Sequence, residues 1–202
     1  MDRVIANIPA GRDIHVTNAN PVDIHLNVAV MAMANKVCPE GFIVIEKFED
    51  APATLDGLVA FANREGRLGI AAEDSDGTIY DDAEVNIHLR AWHDSCHYRY
   101  LLAFNVAGEA AATYLMIAQL YRVYGVSPRT LRWAELILAD ILGLVLHFQR
   151  SRKYPKNKRA GTLNEAKRWS VIAKEIAEKC TGPEHEALAL QLSRATWGNY
   201  DG

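Results

Sequence analysis

Two histidines one helical turn apart, His93 and His97, are the side chains whose type and spacing can do chemistry. Asp94 follows the first, and Glu109 lies twelve residues beyond the second. They fall in the segment Val85-Asn86-Ile87-His88-Leu89-Arg90-Ala91-Trp92-His93-Asp94-Ser95-Cys96-His97. At about 100° per residue His93 and His97 share one helix face, a spacing that lets two imidazoles reach one ion. Asp94, three residues before His97, borders that face. It can supply a carboxylate oxygen or hold an imidazole from behind. Two imidazoles with one or two carboxylates suit Zn²⁺ best, with Mn²⁺ or Fe²⁺ next, because Mg²⁺ and Ca²⁺ prefer all-oxygen shells. A position left open to water or substrate is the mark of a catalytic rather than a structural site.

On one unbroken helix Glu109 would stand roughly 18 Å from His97, at ~1.5 Å per residue, and could not share its ion. Asn105 and Gly108, poor helix formers between two apolar runs, supply a break. The sequence therefore predicts helix–turn–helix, with Glu109 brought to the His pair as ligand and as a candidate catalytic carboxylate. Asn86, Arg90 and Tyr100 share the His93/His97 face. They are candidates for orienting substrate or ligands, Arg90 first among them. The alternative for each is ordinary solvent exposure or an interhelix bond.

A second polar pair, Asp140 and His147, lies seven residues apart in the apolar 131–148 segment with Gly143 between them. A charge in such a helix is costly unless paired. Either the pair points into the site, which makes His147 a catalytic candidate, or it bonds to a neighbouring helix. His88 sits at neither contact spacing from His93, and His15, His25 and His185 read as surface or structural residues. The dense basic run 150–159 (RSRKYPKNKR) is either a solvated loop or a clamp for phosphate, carboxylate or nucleic acid.

With 202 residues, 50% of them hydrophobic and 23% charged, the chain has ample material for one domain with a core. A formal net charge of −3 gives no nucleic-acid signal beyond the basic run and no case for an acidic membrane. Cys38, Cys96 and Cys180 are far apart, with no C-x-x-C, so reduced thiols and a cytoplasmic setting are expected. The opening residues lack the pattern of a secretory signal, and the apolar stretch 136–148 is too short to span a bilayer.

The expected fold is mainly α, a helical bundle with a small α+β N-terminal part. One domain, 1–202, comprises a mixed part over 1–81 and a helical metal-binding part over 82–202. Residues 1–21 read as an extended or loop entry and 22–37 as a helix. Phe42–Ile45 reads as a strand, Thr54–Asn63 as a helix capped by Thr54, and 66–82 as a hairpin or long loop turning at Asp76-Gly77. Helices are expected near 82–103, 107–124, 128–151, 162–180 and 183–196. Ser127-Pro128 starts the third of these and Gly125 stops the second.

His93-Asp94-Ser95-Cys96-His97, eleven intervening residues and then Gly108-Glu109 resemble the HDxxH-x11-E zinc motif of the ubiquinone (coenzyme Q) biosynthesis family that acts on the ring carboxyl of prenylated precursors. The resemblance covers about 93–109, with looser similarity over 89–124. It implies His93, Asp94, His97 and Glu109 as metal ligands, an all-helical fold, and decarboxylation or hydroxylation at the ring carbon bearing the carboxyl. Trp92 stands where that family has arginine before the HD pair. The stretch EVNIHLRAWHDSCH is also similar to segments of bacteriophage proteins. The expected function is a metal-dependent enzyme acting on a small anionic substrate, with room for a homo-oligomer. One alternative is an HD-type phosphohydrolase, with His25 or His88 and Asp140 completing the shell. The other is a non-catalytic protein stapled by a structural metal.

Overall fold

A computed structural model describes residues 6–8 and 21–200. The chain is mainly helical, with a small sheet near its start. It divides into two compact units, Met1–Phe104 and Asn105–Gly202. The helix expected to start near residue 82 falls inside the first unit. The helix that starts there packs on the elements before it and belongs with them.

In the first unit, strand β1 (Ala6–Ile8) pairs antiparallel with β2 (Phe42–Ile45), which pairs in parallel with β3 (Gly69–Ala71). Residues 9–20, including His15, lie outside the described residues. β2 is the predicted β-branched run. In the segment 66–82, expected as a hairpin or long loop, β3 completes a parallel crossover through helix α2 (Leu55–Glu65) rather than a hairpin, and the rest is loop, where Gly77 stands at φ 67°. A parallel neighbour requires such a crossover rather than a tight turn.

Helix α1 (Ile24–Val37) starts at Asp23, which accepts from the His25 N–H. Helix α2 starts at Thr54, which accepts from the Gly57 N–H, and stops at Gly66 in the left-handed region. Helix α3 (Ala83–Tyr100) starts at Asp82, whose carboxylate accepts from the Glu84 and Val85 N–H groups. α3 packs along α1 and against β3 and α2. Phe42, Leu58, Ile70, Ile87 and Ala91 meet in the core between them, with Cys38 at its edge. Burial of these side chains fixes the rotation of α3 and so the direction its other faces take.

In the second unit, helix α4 (Val106–Tyr124) is the central element, with Ala110, Ala112, Tyr114, Leu115, Met116, Ile117, Ala118 and Leu120 fully buried. Helix α9 (His185–Trp197) packs along it. Helix α5 (Pro128–Leu138) begins with the predicted Ser127-Pro128 start, realised as a capping box between Ser127 and Thr130. The expected single helix over 128–151 is interrupted. A π-helical turn (Ala139–Gly143) separates α5 from α6 (Leu144–Ser151). The helix expected over 162–180 begins earlier, as α7 (Lys158–Ala166) capped by Asn157, and passes through a 3₁₀ turn into α8 (Ser170–Lys179). Among the described residues no helix is long and apolar enough to cross a membrane.

Candidate metal centre

The break required between His97 and Glu109 is present. α3 ends at Tyr100, and Leu101 takes a left-handed conformation at φ 52°. α4 then starts at Asn105, whose side chain accepts from the Gly108 N–H at 2.9 Å. The two residues read as helix breakers thus do different things: Asn105 is the N-cap and Gly108 is the donor that it captures. Glu109 falls in the first turn of α4, where the positive end of the helix dipole favours a carboxylate.

The ligand atoms of His93, His97 and Glu109 all lie within 4.8 Å of one another. This His/His/Glu group can hold a metal ion. The two imidazoles stand edge to face, with ring centroids 4.6 Å apart. Phe104 meets the other side of His97, also at 4.6 Å. His97 is wholly buried and the His93 side chain is 12% exposed, so water competes little for these rings.

Hydrogen bonding fits the rings to ligation. His97 Nδ1 lies 2.9 Å from the Leu102 carbonyl, which can only accept, so Nδ1 carries the proton. In a neutral ring the lone pair is then on Nε2. His93 Nδ1 lies 3.3 Å from the Asp94 carboxylate, and the same reasoning puts the His93 lone pair on Nε2. Both Nε2 atoms are buried. Two imidazole nitrogens and one carboxylate form a donor set that suits zinc and related ions.

Asp94 is not a member of the group, so three of the four expected ligands come together. Its carboxylate engages His93 instead, the orienting arrangement that the sequence left open for it. Arg90 is committed elsewhere: its guanidinium donates to the carbonyls of Ala71, Glu73 and Asp74 and lies over the Phe48 ring. That ties α3 to the loop after β3. Asn86 is buried in α3, and Tyr100 ends that helix, half-buried.

His88 Nδ1 bonds the Glu84 carbonyl and its ring packs edge-on to Phe42, so it serves the core. His25 is exposed and His185 bonds the Gly182 carbonyl. Asp140, in the π turn, is 7% exposed and accepts from Thr162 at 3.0 Å, the bond to a neighbouring helix given as the alternative above. His147 is exposed on α6. The extra residue of the π turn rotates it away from Asp140, so the pair does not act as one. Arg150 and the residues after it stay largely exposed.

Sequence reasoning did not find the Leu102 carbonyl as the group that sets the His97 tautomer. A backbone acceptor five residues on leaves no mark in side-chain identity. No family model, curated protein or solved structure matches the chain.

Proposed function

We propose that the chain is a metal-dependent enzyme in which His93, His97 and Glu109 hold a divalent ion, zinc first, and a small anionic substrate approaches the remaining position. What carries this reading is one observation: three ligand atoms within 4.8 Å, two of them on rings whose tautomers suit ligation. Three protein ligands of the His/His/Glu kind leave a tetrahedral ion one position for water or substrate. When bound there, the ion supplies Lewis acidity and activation of water at neutral pH.

The chain's own residues have separable tasks. His93 and His97 present neutral nitrogens. Asp94 holds the His93 ring in its plane and raises its basicity, and Leu102 does the same for His97. Glu109 supplies the anionic oxygen that offsets the ion's charge. The motif resemblance favours chemistry at a ring carboxylate as the reaction class. The place of Glu109 in the group, and the bond that Asp140 accepts from Thr162, support this version over an HD-type phosphohydrolase, which needs Asp140 as a ligand. A structural metal is the second reading, favoured by the complete burial of His97.

Elemental analysis of the purified protein, joined to turnover on aromatic carboxylates, nucleotides and phosphate esters, tests the proposal. The expected result is stoichiometric zinc, removable by chelator, with turnover of a carboxylate substrate that returns on adding zinc. Metal-free protein refutes the centre. Full metal loading with every substrate inert, and a fourth protein ligand on the ion, replaces the enzyme with the structural reading.

A further inference from the structure

The second unit carries a cleft of about 280 Å³ that the metal centre does not use. Gly143, Trp169 and Trp197 line it together with His147, Arg150 and Arg168. We propose that this cleft binds a small aromatic anion, its ring against the tryptophans and its charged group at Arg150 and His147.

Three observations point to that ligand. The first is charge. Arg168 is held by Glu165 through contacts of 2.9 and 2.8 Å, so those two charges offset each other. Arg150 and the His147 ring make no hydrogen bond or ion pair among the described residues, which leaves the rim cationic. An exposed guanidinium at the mouth of a cleft is suited to a carboxylate or phosphate oxygen.

The second is the aromatic wall. Trp169 and Trp197 are nearly parallel, at 28°, with centroids 6.4 Å apart, and both line the cleft. Trp169 is 7% exposed, yet its indole N–H has no acceptor among the described residues. A buried indole donor ordinarily finds one.

The third is Gly143. Its φ of −61° and ψ of −42° are ordinary helical values, so the backbone does not require glycine there. A Cβ at this position would sit 3.4 Å from Trp169 Nε1, in contact with the indole edge. The missing side chain keeps open the floor of the cleft beside that N–H. The volume lies at the small end of ligand sites, roughly 300–1,000 Å³, which favours a one- or two-ring compound over a nucleotide.

The test is a titration of the full chain, ¹⁵N-labelled, following the indole N–H signal of Trp169 assigned through Trp169→Phe. The probes are benzoate, 1-naphthoate, cyclohexanecarboxylate, benzyl alcohol and inorganic phosphate. The two aromatic carboxylates should shift the signal saturably, with the other three much weaker. Arg150→Gln should weaken 1-naphthoate binding at least about tenfold, as loss of a charge-assisted bond requires, while Arg122→Gln on the exposed face of α4 changes nothing. Gly143→Ala should block binding with the thermal midpoint kept or raised. Equal binding by cyclohexanecarboxylate, indifference to Arg150→Gln, response to phosphate alone, or no saturation by about 10 mM would each overturn the proposal. Arg150 is exposed, so its variant decides the matter even where Gly143→Ala perturbs the fold.

Discussion

Leu102 holds His97 through both of its backbone hydrogen-bonding groups. Its N–H donates to the His97 carbonyl at 3.0 Å, and its carbonyl accepts from the His97 imidazole at 2.9 Å. The end of α3 and the tautomer of a metal-ligand candidate are thereby set by the same residue.

Removing that imidazole should remove the ion. His97→Ala is expected to reduce zinc content to near zero, whereas His88→Ala retains it. The His88 variant should instead lose stability, by about 2 kcal/mol, because its ring fills core space beside Phe42. Zinc content by mass spectrometry, normalised to folded protein, separates the two. Equal zinc content in both variants refutes the assignment of His97.

Asp94 and Glu109 should behave differently although both are carboxylates near the same histidines. Asp94→Asn is expected to keep stoichiometric zinc with affinity lowered about 10–100-fold, the effect of losing an orienting partner. Glu109→Gln should lose the ion outright. Competition against a chelator of known affinity measures both. Identical losses would make Asp94 a direct ligand.

Leu101 is a leucine in the left-handed region at φ 52° with 67% of its surface exposed. Such a conformation costs about 1–2 kcal/mol for a residue with a Cβ, more than the roughly 0.5–1 kcal/mol glycine loses through its greater freedom when unfolded. Leu101→Gly should stabilise the protein by about 0.5 kcal/mol in urea unfolding, with zinc content unchanged. Leu101→Val should destabilise it.

Burial pushes the Cys38 thiol up to about 12 from an ordinary 9.0, with the charge of Asp94 adding to the rise. Between those values the folded chain keeps a proton that the unfolded chain releases. The stability due to this group is complete below pH 9 and is lost as pH climbs toward 12. Tyr121, buried with its hydroxyl donating to the Ala173 carbonyl, is raised in the same direction. Cys38→Ala should flatten the fall in stability above pH 9 by up to roughly 1.4 kcal/mol per pH unit. Parallel pH profiles for the variant and the parent chain would count against it.

The starts of α2 and α5 were legible because capping is local chemistry: Thr54 and Ser127 each accept from an N–H three residues on. Asp82 and Asn105 cap α3 and α4 in the same way, although Asn105 read only as a helix breaker. The His93/His97 pair was legible because helical spacing is periodic. The role of Arg90 was not, since its partners are backbone carbonyls 16 to 19 residues earlier, brought near only when β3 joins β2. β3 itself is three residues with a glycine at its head, too short for alternation to register. Gly69 is required there by packing: a Cβ would meet the Phe61 ring at 2.7 Å. Asp94 and Glu109 illustrate the same divide. Their side-chain type made both candidate ligands, and only the path of the chain between them sorted one onto the group and the other behind it.

The π turn at Ala139–Gly143 gives the 128–151 segment a register of its own. A π turn takes in one residue more than an α turn, so the segment counts one residue long relative to a straight helix. Deleting a single residue there would remove the bulge and return a straight α-helix, with the residues after it keeping the faces they now take. Leu146, buried at 8% exposure, would stay buried, and Arg150 would stay on the cleft it shares with Trp169. The same deletion made inside α6 has no bulge to absorb it and would swing everything after it by about 100°. The π turn thus makes its own five residues the place in this segment where chain length can change at least cost to the contacts beyond.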